Sequence, residues 1–216
     1  MNPTCKICGA NTREIYHKNL KASYFQCNVC DFISKDEDAI ISFEDELKIY
    51  DYHNNSIEDE KYVAYFKDFI DHSIMPHFEG EKSGLDFGSG PSPVLAMIME
   101  RDYGFDMDIY DLFYSPEKTY KKKQYNLITC TEVIEHLKEP LSYFRLFKEL
   151  LDDKGTLAIM TLFHSNNDVD FQDWAYVRDK SHISFYTPKT LETIADLNGL
   201  RLIYHNGHRH AILSHQ

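Results

Sequence analysis

Apolar residues recur along this chain with two different periods. Between residues 58 and 75, Val63, Phe66, Ile70 and Ile74 follow one another at steps of three and four, one stripe on a helix that Pro76 should end. From Ser83 onward short apolar runs take over, predicting strands near 84–87, 106–110, 125–130 and 156–162. Helices are expected between and after them, near 93–101, 140–151 and 188–198. This alternation predicts an α/β fold, a parallel sheet with helices on both faces. The end differs: residues 200–205 and 208–213 flank Asn206-Gly207, a two-residue turn signal, so an antiparallel hairpin should close the sheet. Earlier, the acidic run Asp36-Glu37-Asp38 should open a helix whose N-terminal dipole its charge suits.

Composition narrows the class. The 216 residues are 43% hydrophobic, enough for a sizeable core, and the formal charge is −12. That charge argues against nucleic acid or an anionic membrane as a general partner. No apolar run approaches the roughly 20 residues of a membrane span, and the first residues lack the pattern of a secretory signal, so a cytoplasmic protein is expected.

The cysteines add a second module. Cys5 and Cys8 form one Cys-x-x-Cys pair and Cys27 and Cys30 another, with 18 residues between them, the spacing of two knuckles around a tetrahedral zinc ion. Two disulfides would need an oxidising compartment, and a redox motif needs only one pair. Structural zinc is therefore the preferred reading, with the metal folding a ribbon too small to build its own core. Five cationic side chains against two acidic ones in residues 1–35 are nearly offset by the −2 of a zinc–tetrathiolate centre, so the ribbon is no basic finger. The expected organisation is a ribbon over 1–35, a helical linker or cap over 36–80 and the α/β domain over 81–216.

The densest chemistry follows the first predicted parallel strand, in Asp86-Phe87-Gly88-Ser89-Gly90-Pro91. Glycines at a strand-to-helix turn admit a ligand close to the backbone, and the helix N-terminus supplies donors. Pro93 stands where a dinucleotide fingerprint has its third glycine. Asp111, at the second strand tip, has the position and chemistry to accept hydrogen bonds from a ribose diol. The plain alternative is a tight turn with an exposed acid nearby.

The stretches LDFGSGPSPVL (85–95), IYDLF (109–113) and YNLITCTEVIEHL (125–137) resemble class I S-adenosylmethionine-dependent methyltransferases, and the likeness spans roughly residues 50 to 205. More narrowly, the chain is similar to bacterial methyltransferases with an N-terminal zinc ribbon, and it looks related to quinone O-methyltransferases. Residues 50–55, 131–136 and 168–191 carry that narrower likeness. The resemblance implies a Rossmann-like sheet and S-adenosylmethionine as cofactor. It implies that Asp86, Gly88 and Gly90 cradle the methionine part, with Ser89 and Leu112 in the same cofactor set. It places Asp111 at the ribose, Thr131 beside the sulfonium, and His53, Asn54 and Asn55 over the cofactor. One departure stands out: only the 13 residues 112–124 separate two strands between which the family has a further strand and helix. The adenine pocket must be built differently, with Phe113 and Tyr114 as candidates.

Methyl transfer to a hydroxyl needs a base near neutral pH, and histidine suits. His182 lies where this fold has its substrate cap; it is either that base or a surface or structural loop histidine. His136 is the second catalytic candidate. Glu132, Glu135 and His136 would share one face of a helical turn, able either to bind a divalent metal or simply to answer the helix dipole; the latter is preferred for Glu135, and metal binding is disfavoured. Trp174, Tyr176 and Tyr186 are candidate walls of an acceptor site, or lid packing. Cys130 reads as a buried small hydrophobe, Lys121–Lys123 as a solvated loop, and His205, His208, His210 and His215 as exposed strand residues. The leading expectation is O-methylation of a small molecule. The alternatives are an RNA methyltransferase guided by the ribbon, disfavoured by 18 cationic against 33 acidic side chains in residues 36–216, or a non-catalytic scaffold whose ribbon docks a protein partner.

Overall fold

The computed structural model describes residues 2–51 and 56–216, so His53, Asn54 and Asn55 lie outside the described residues. Strands β1 (Thr12–His17), β2 (Ala22–Cys27) and β3 (Ile33–Lys35) form an antiparallel meander behind the cysteine knuckles. The acidic run makes only a 3₁₀ turn, Glu37–Ala39, because the chain turns extended again at Ile40. Helix α1 (Phe43–Tyr50) begins instead at Ser42, whose side chain accepts the Asp45 amide.

Helix α2 (Glu60–Phe69) is capped by Asp59, which accepts the amides of Lys61 and Tyr62. The predicted helix to residue 75 does not stay α-helical: it widens into a π turn at Ile70–Ile74 and tightens into a 3₁₀ turn at Met75–His77. Pro76 explains this, since its ring would strike the carbonyl four residues back in a regular helix. The apolar stripe still works as expected, with Phe66, Ile70 and Ile74 buried.

The main sheet uses β4 (Ser83–Phe87), β5 (Asp106–Tyr110), β6 (Tyr125–Thr131) and β7 (Leu151–Met160), all parallel. Between them come α3 (Val94–Tyr103) and α4 (Pro140–Leu150). Short elements follow, α5 (Asp168–Asp173) and β8 (Ser184–Phe185), then α6 (Pro188–Asn198), β9 (Leu200–His205) and β10 (His210–His215). The order is β5-β4-β6-β7-β10-β9, with β10 antiparallel to both neighbours. The closing hairpin forms as expected, but over a longer loop: the Asn206 side-chain Oδ1 accepts the backbone amides of His208, Arg209 and His210 and so wraps residues 206–209 around itself. Residues 112–124 hold no helix or strand, so β5 is the sheet edge.

Helices α2 and α3 cover one face of the sheet, and α4 and α6 the other. The ribbon is part of the second face: Cys5, Ile7, Cys27 and Phe32 share a buried cluster with Leu85, Phe144 and Leu191. Its strand β3 pairs with β8, matching Ile33 to Phe185 and Ser34 to Ser184. The segment just before β8 carries His182.

Candidate active site

The tip of β4 bends at Gly88 and Gly90, whose φ angles are +85° and +68°. The two glycines serve different ends. A Cβ on Gly88 would sit 2.1 Å from Val133 Cγ2, whereas one on Gly90 would meet nothing within 4 Å. The Gly90 amide donates to Asp111 Oδ2 at 2.9 Å, and Asp111 Oδ1 accepts the amides of Phe113 and Tyr114 at 2.9 and 3.0 Å. Asp111 thus ties the two strand-end loops together and keeps one lone-pair position of its four for another donor. Ser89 Oγ is shielded from solvent and makes no hydrogen bond. Behind the loop, Asp86 is buried and accepts the Thr129 hydroxyl at 2.8 Å; burial pushes its carboxyl up to about 7.

This loop is one wall of a cavity of about 720 Å³. Asp86, Gly88, Ser89, Gly90, Asp111, Leu112 and Thr131 all line it, as do Phe113 and Tyr114. The opposite wall was not legible in the sequence: Glu46 and Tyr50 come from α1, and Tyr62, Tyr65 and Phe66 from α2. Phe113 packs on Phe43 at 4.5 Å and on Tyr50 at 5.4 Å between ring centroids, an aromatic corner in place of the missing strand and helix. The helical spacing of α2 reads as core, and only the cap-like placement of α1 hints that these tyrosines face a ligand.

Glu132, His136, Asp179 and His182 line the other end of the cavity. The expected helical turn is instead a 3₁₀ turn, Ile134–His136, and Glu132 precedes it in the left-handed region at φ +52°. Glu135 does not face a helix dipole, as preferred from the sequence, but is fully buried. Tyr176 OH lies 2.5 Å from Glu135 Oε1 and 2.9 Å from Glu132 Oε2, while Glu132 Oε1 accepts the Tyr65 hydroxyl at 2.8 Å. Burial, then the charge of Glu132, raises the Glu135 carboxyl well above the usual carboxylate range. His182 is buried rather than a surface residue, and burial lowers its imidazole pKa. Its ring lies 4.8 Å from that of His136 and 4.1 Å from that of Tyr176.

Three further expectations change. Tyr186 is no pocket wall: it is fully buried against Phe32, with its hydroxyl on the Ile134 carbonyl. Trp174 packs on Phe171 and Phe185 towards the ribbon. His210 is not exposed but buried, 4.7 Å from the Phe69 ring and hydrogen-bonded to Ser73, because β10 is an interior strand. Cys130 is buried in β6, as expected.

In the ribbon, Cys5, Cys8, Cys27 and Cys30 gather with their ligand atoms within 4.8 Å of one another. None is disulfide-bonded, and sulfur–sulfur distances of 3.4, 3.6 and 3.7 Å recur among them. A tetrahedral ion with Zn–S bonds of about 2.3 Å spaces its ligands by about 3.8 Å. The amides of Ile7, Val29 and Cys30 point at Cys5 and Cys27 sulfur, as thiolate charge favours. The donor set fits zinc.

A glycine loop at one parallel strand tip, an acid at the next and a cavity lined by both form the arrangement in which α/β sheets hold nucleotide cofactors. A methyltransferase-domain model matches residues 59–205, and the chain belongs to that family. No curated protein sequence matches it. Among solved structures it is similar to an O-methyltransferase of neocarzinostatin biosynthesis in complex with S-adenosyl-L-homocysteine and 1,4-dihydroxy-2-naphthoic acid, at TM-score 0.52 and 12% identity over 82% of this chain and 62% of that one. A methyltransferase of calicheamicin biosynthesis, in its S-adenosyl-L-homocysteine-bound form, gives 0.51 and 14% over 73% and 59%. An O-methyltransferase family protein from Burkholderia thailandensis gives 0.51 and 15% over 74% and 61%. At such identities the likeness is one of fold, and the chain spans about three-fifths of the length of these proteins.

Proposed function

We propose that the protein is an S-adenosylmethionine-dependent methyltransferase that acts on an oxygen of a small molecule. The observation that carries this reading is the single cavity running from the Gly88–Gly90 loop to His136 and His182. When bound, S-adenosylmethionine supplies a methyl group on a positively charged sulfur. In this assignment Gly88, Ser89 and Gly90 hold its methionine part, with Asp86 behind them. The open lone pair of Asp111 takes a ribose hydroxyl, and Leu112 and Phe113 stand at the base. Thr131 lies at the sulfonium end. His182 and His136 line that end of the cavity and promote loss of the acceptor's proton.

An oxygen acceptor on a small molecule is supported by the O-methyltransferases of the same fold, one of them bound to a dihydroxynaphthoic acid. The excess of acids over cations weighs against RNA. The four cysteines are assigned a structural zinc ion, consistent with a reducing, cytoplasmic setting. Among the described residues no helix is long and apolar enough to cross a membrane. In this reading residues 1–35 are the ribbon, 36–80 the cap and 81–216 the catalytic domain.

Calorimetric titration with S-adenosylhomocysteine tests the cofactor assignment. The wild-type chain should bind it, and Asp111→Ala should weaken binding by on the order of 1.5 to 3 kcal/mol through the lost charged hydrogen bond. Equal affinity in the variant would remove Asp111 from the site.

A further inference from the structure

Three ligand-bearing side chains meet beside the cavity, His136 and His182 in its lining and Glu135 buried next to them. One ligand atom each from Glu135, His136 and His182 can be chosen so that all lie within 4.8 Å of one another. The two imidazoles are held in matching fashion. His182 Nδ1 is 2.8 Å from the Tyr176 carbonyl oxygen, and His136 Nδ1 is 3.2 Å from that of Ser181. A carbonyl can only accept, so each Nδ1 carries the proton and the lone pair of each ring is at Nε2. That backbone anchoring of the distal nitrogen is how a metal-ligating histidine is oriented. The carboxylate is equally prepared: Tyr176 engages Glu135 Oε1, while Oε2 is fully shielded and accepts no hydrogen bond. A buried carboxylate oxygen without a donor is costly unless something positive completes it.

We propose that Glu135, His136 and His182 hold a divalent transition-metal ion at the acceptor end of the cavity, distinct from the tetracysteine site. Two imidazoles and one carboxylate leave coordination positions open towards the cavity, and such a set suits Mn²⁺, Fe²⁺, Co²⁺ or Zn²⁺. Asp179, also in the cavity lining, faces the same nitrogen, its Oδ2 3.9 Å from His182 Nε2. The catalytic consequence rests on the function proposed above. A hydroxyl on the metal loses its proton to water more readily; the oxygen then forms the C–O bond as the C–S bond breaks, and the sulfonium leaves as a neutral thioether. The two histidines then serve as ligands rather than as free bases.

The test uses the full chain with zinc in the ribbon and Mn²⁺ alone as probe, followed by electron paramagnetic resonance without cofactor. The thiolate site discriminates against Mn²⁺, so the probe reports the second site. One Mn²⁺ per chain is expected, with nitrogen hyperfine coupling from imidazole, and Glu135→Gln and His182→Ala should each weaken binding at least about tenfold. If either variant fails to fold, seen as loss of ribbon zinc, the wild-type hyperfine signal decides. Absence of Mn²⁺ binding, binding without imidazole coupling, or undiminished binding in both folded variants would overturn the proposal. Since no methyl donor is present, this outcome is independent of whether the chain transfers methyl groups.

Discussion

Lys35 of the ribbon reaches into the active-site segment and is tied to it twice. Its Nζ donates to the Lys180 carbonyl at 2.9 Å and its amide to the Ile183 carbonyl at 2.8 Å, on either side of His182. Ile183 in turn gives its amide to the Glu135 carbonyl at 2.8 Å. The ribbon therefore supports the wall that carries His182. Lys35→Met should keep the apolar stem and the β3–β8 pairing but free the Lys180 carbonyl. We expect methyl transfer to drop about tenfold from misplacement of the loop. Ribbon zinc and S-adenosylhomocysteine affinity should stay within twofold of wild type, as metal analysis and calorimetry would report. An unchanged turnover would mean that the lysine contact does not position His182.

The two loop glycines separate packing from backbone freedom. Gly88→Ala meets both the left-handed φ and the Val133 methyl at 2.1 Å, and should cost about 2–4 kcal/mol. Gly90→Ala meets only the φ and should cost about 1 kcal/mol. Urea unfolding of the two variants checks the difference; equal losses would count against the packing role of Gly88.

Asp86 sets a pH dependence. Its folded carboxyl titrates near 7, above its ordinary value near 4, chiefly through burial. A group raised on folding contributes stability below its unfolded pKa and loses it as pH rises through the folded one. Relative to Asp86→Asn, the wild-type chain should therefore lose on the order of 1 kcal/mol per pH unit between about pH 4 and 7, and nothing more above that. Unfolding curves for both proteins across this range measure it, and parallel pH profiles would contradict the buried-acid description.

What the sequence revealed and what it concealed divide on physical grounds. The strand–loop–helix around Gly88, the Asp111 tip and the cysteine knuckles depend on local spacing, and each lies where spacing predicts. Tyr50, Tyr62 and Tyr65 were hidden because a residue lining a cavity and one filling a core share the same helical period. Glu135 and His210 misled for a related reason: burial is decided by which strands and turns become interior, a tertiary fact that local polarity cannot encode. The pairing of β3 with β8 joins residues some 150 positions apart, beyond any window of periodicity.

The most direct measurement follows the methyl group itself. S-adenosylmethionine labelled on its methyl carbon would be incubated with the full chain and with cell extract separated into small-molecule, RNA and protein fractions. The account predicts label in the small-molecule fraction that disappears with His182→Ala. Label appearing in RNA or protein instead, or persisting in that variant, would contradict it.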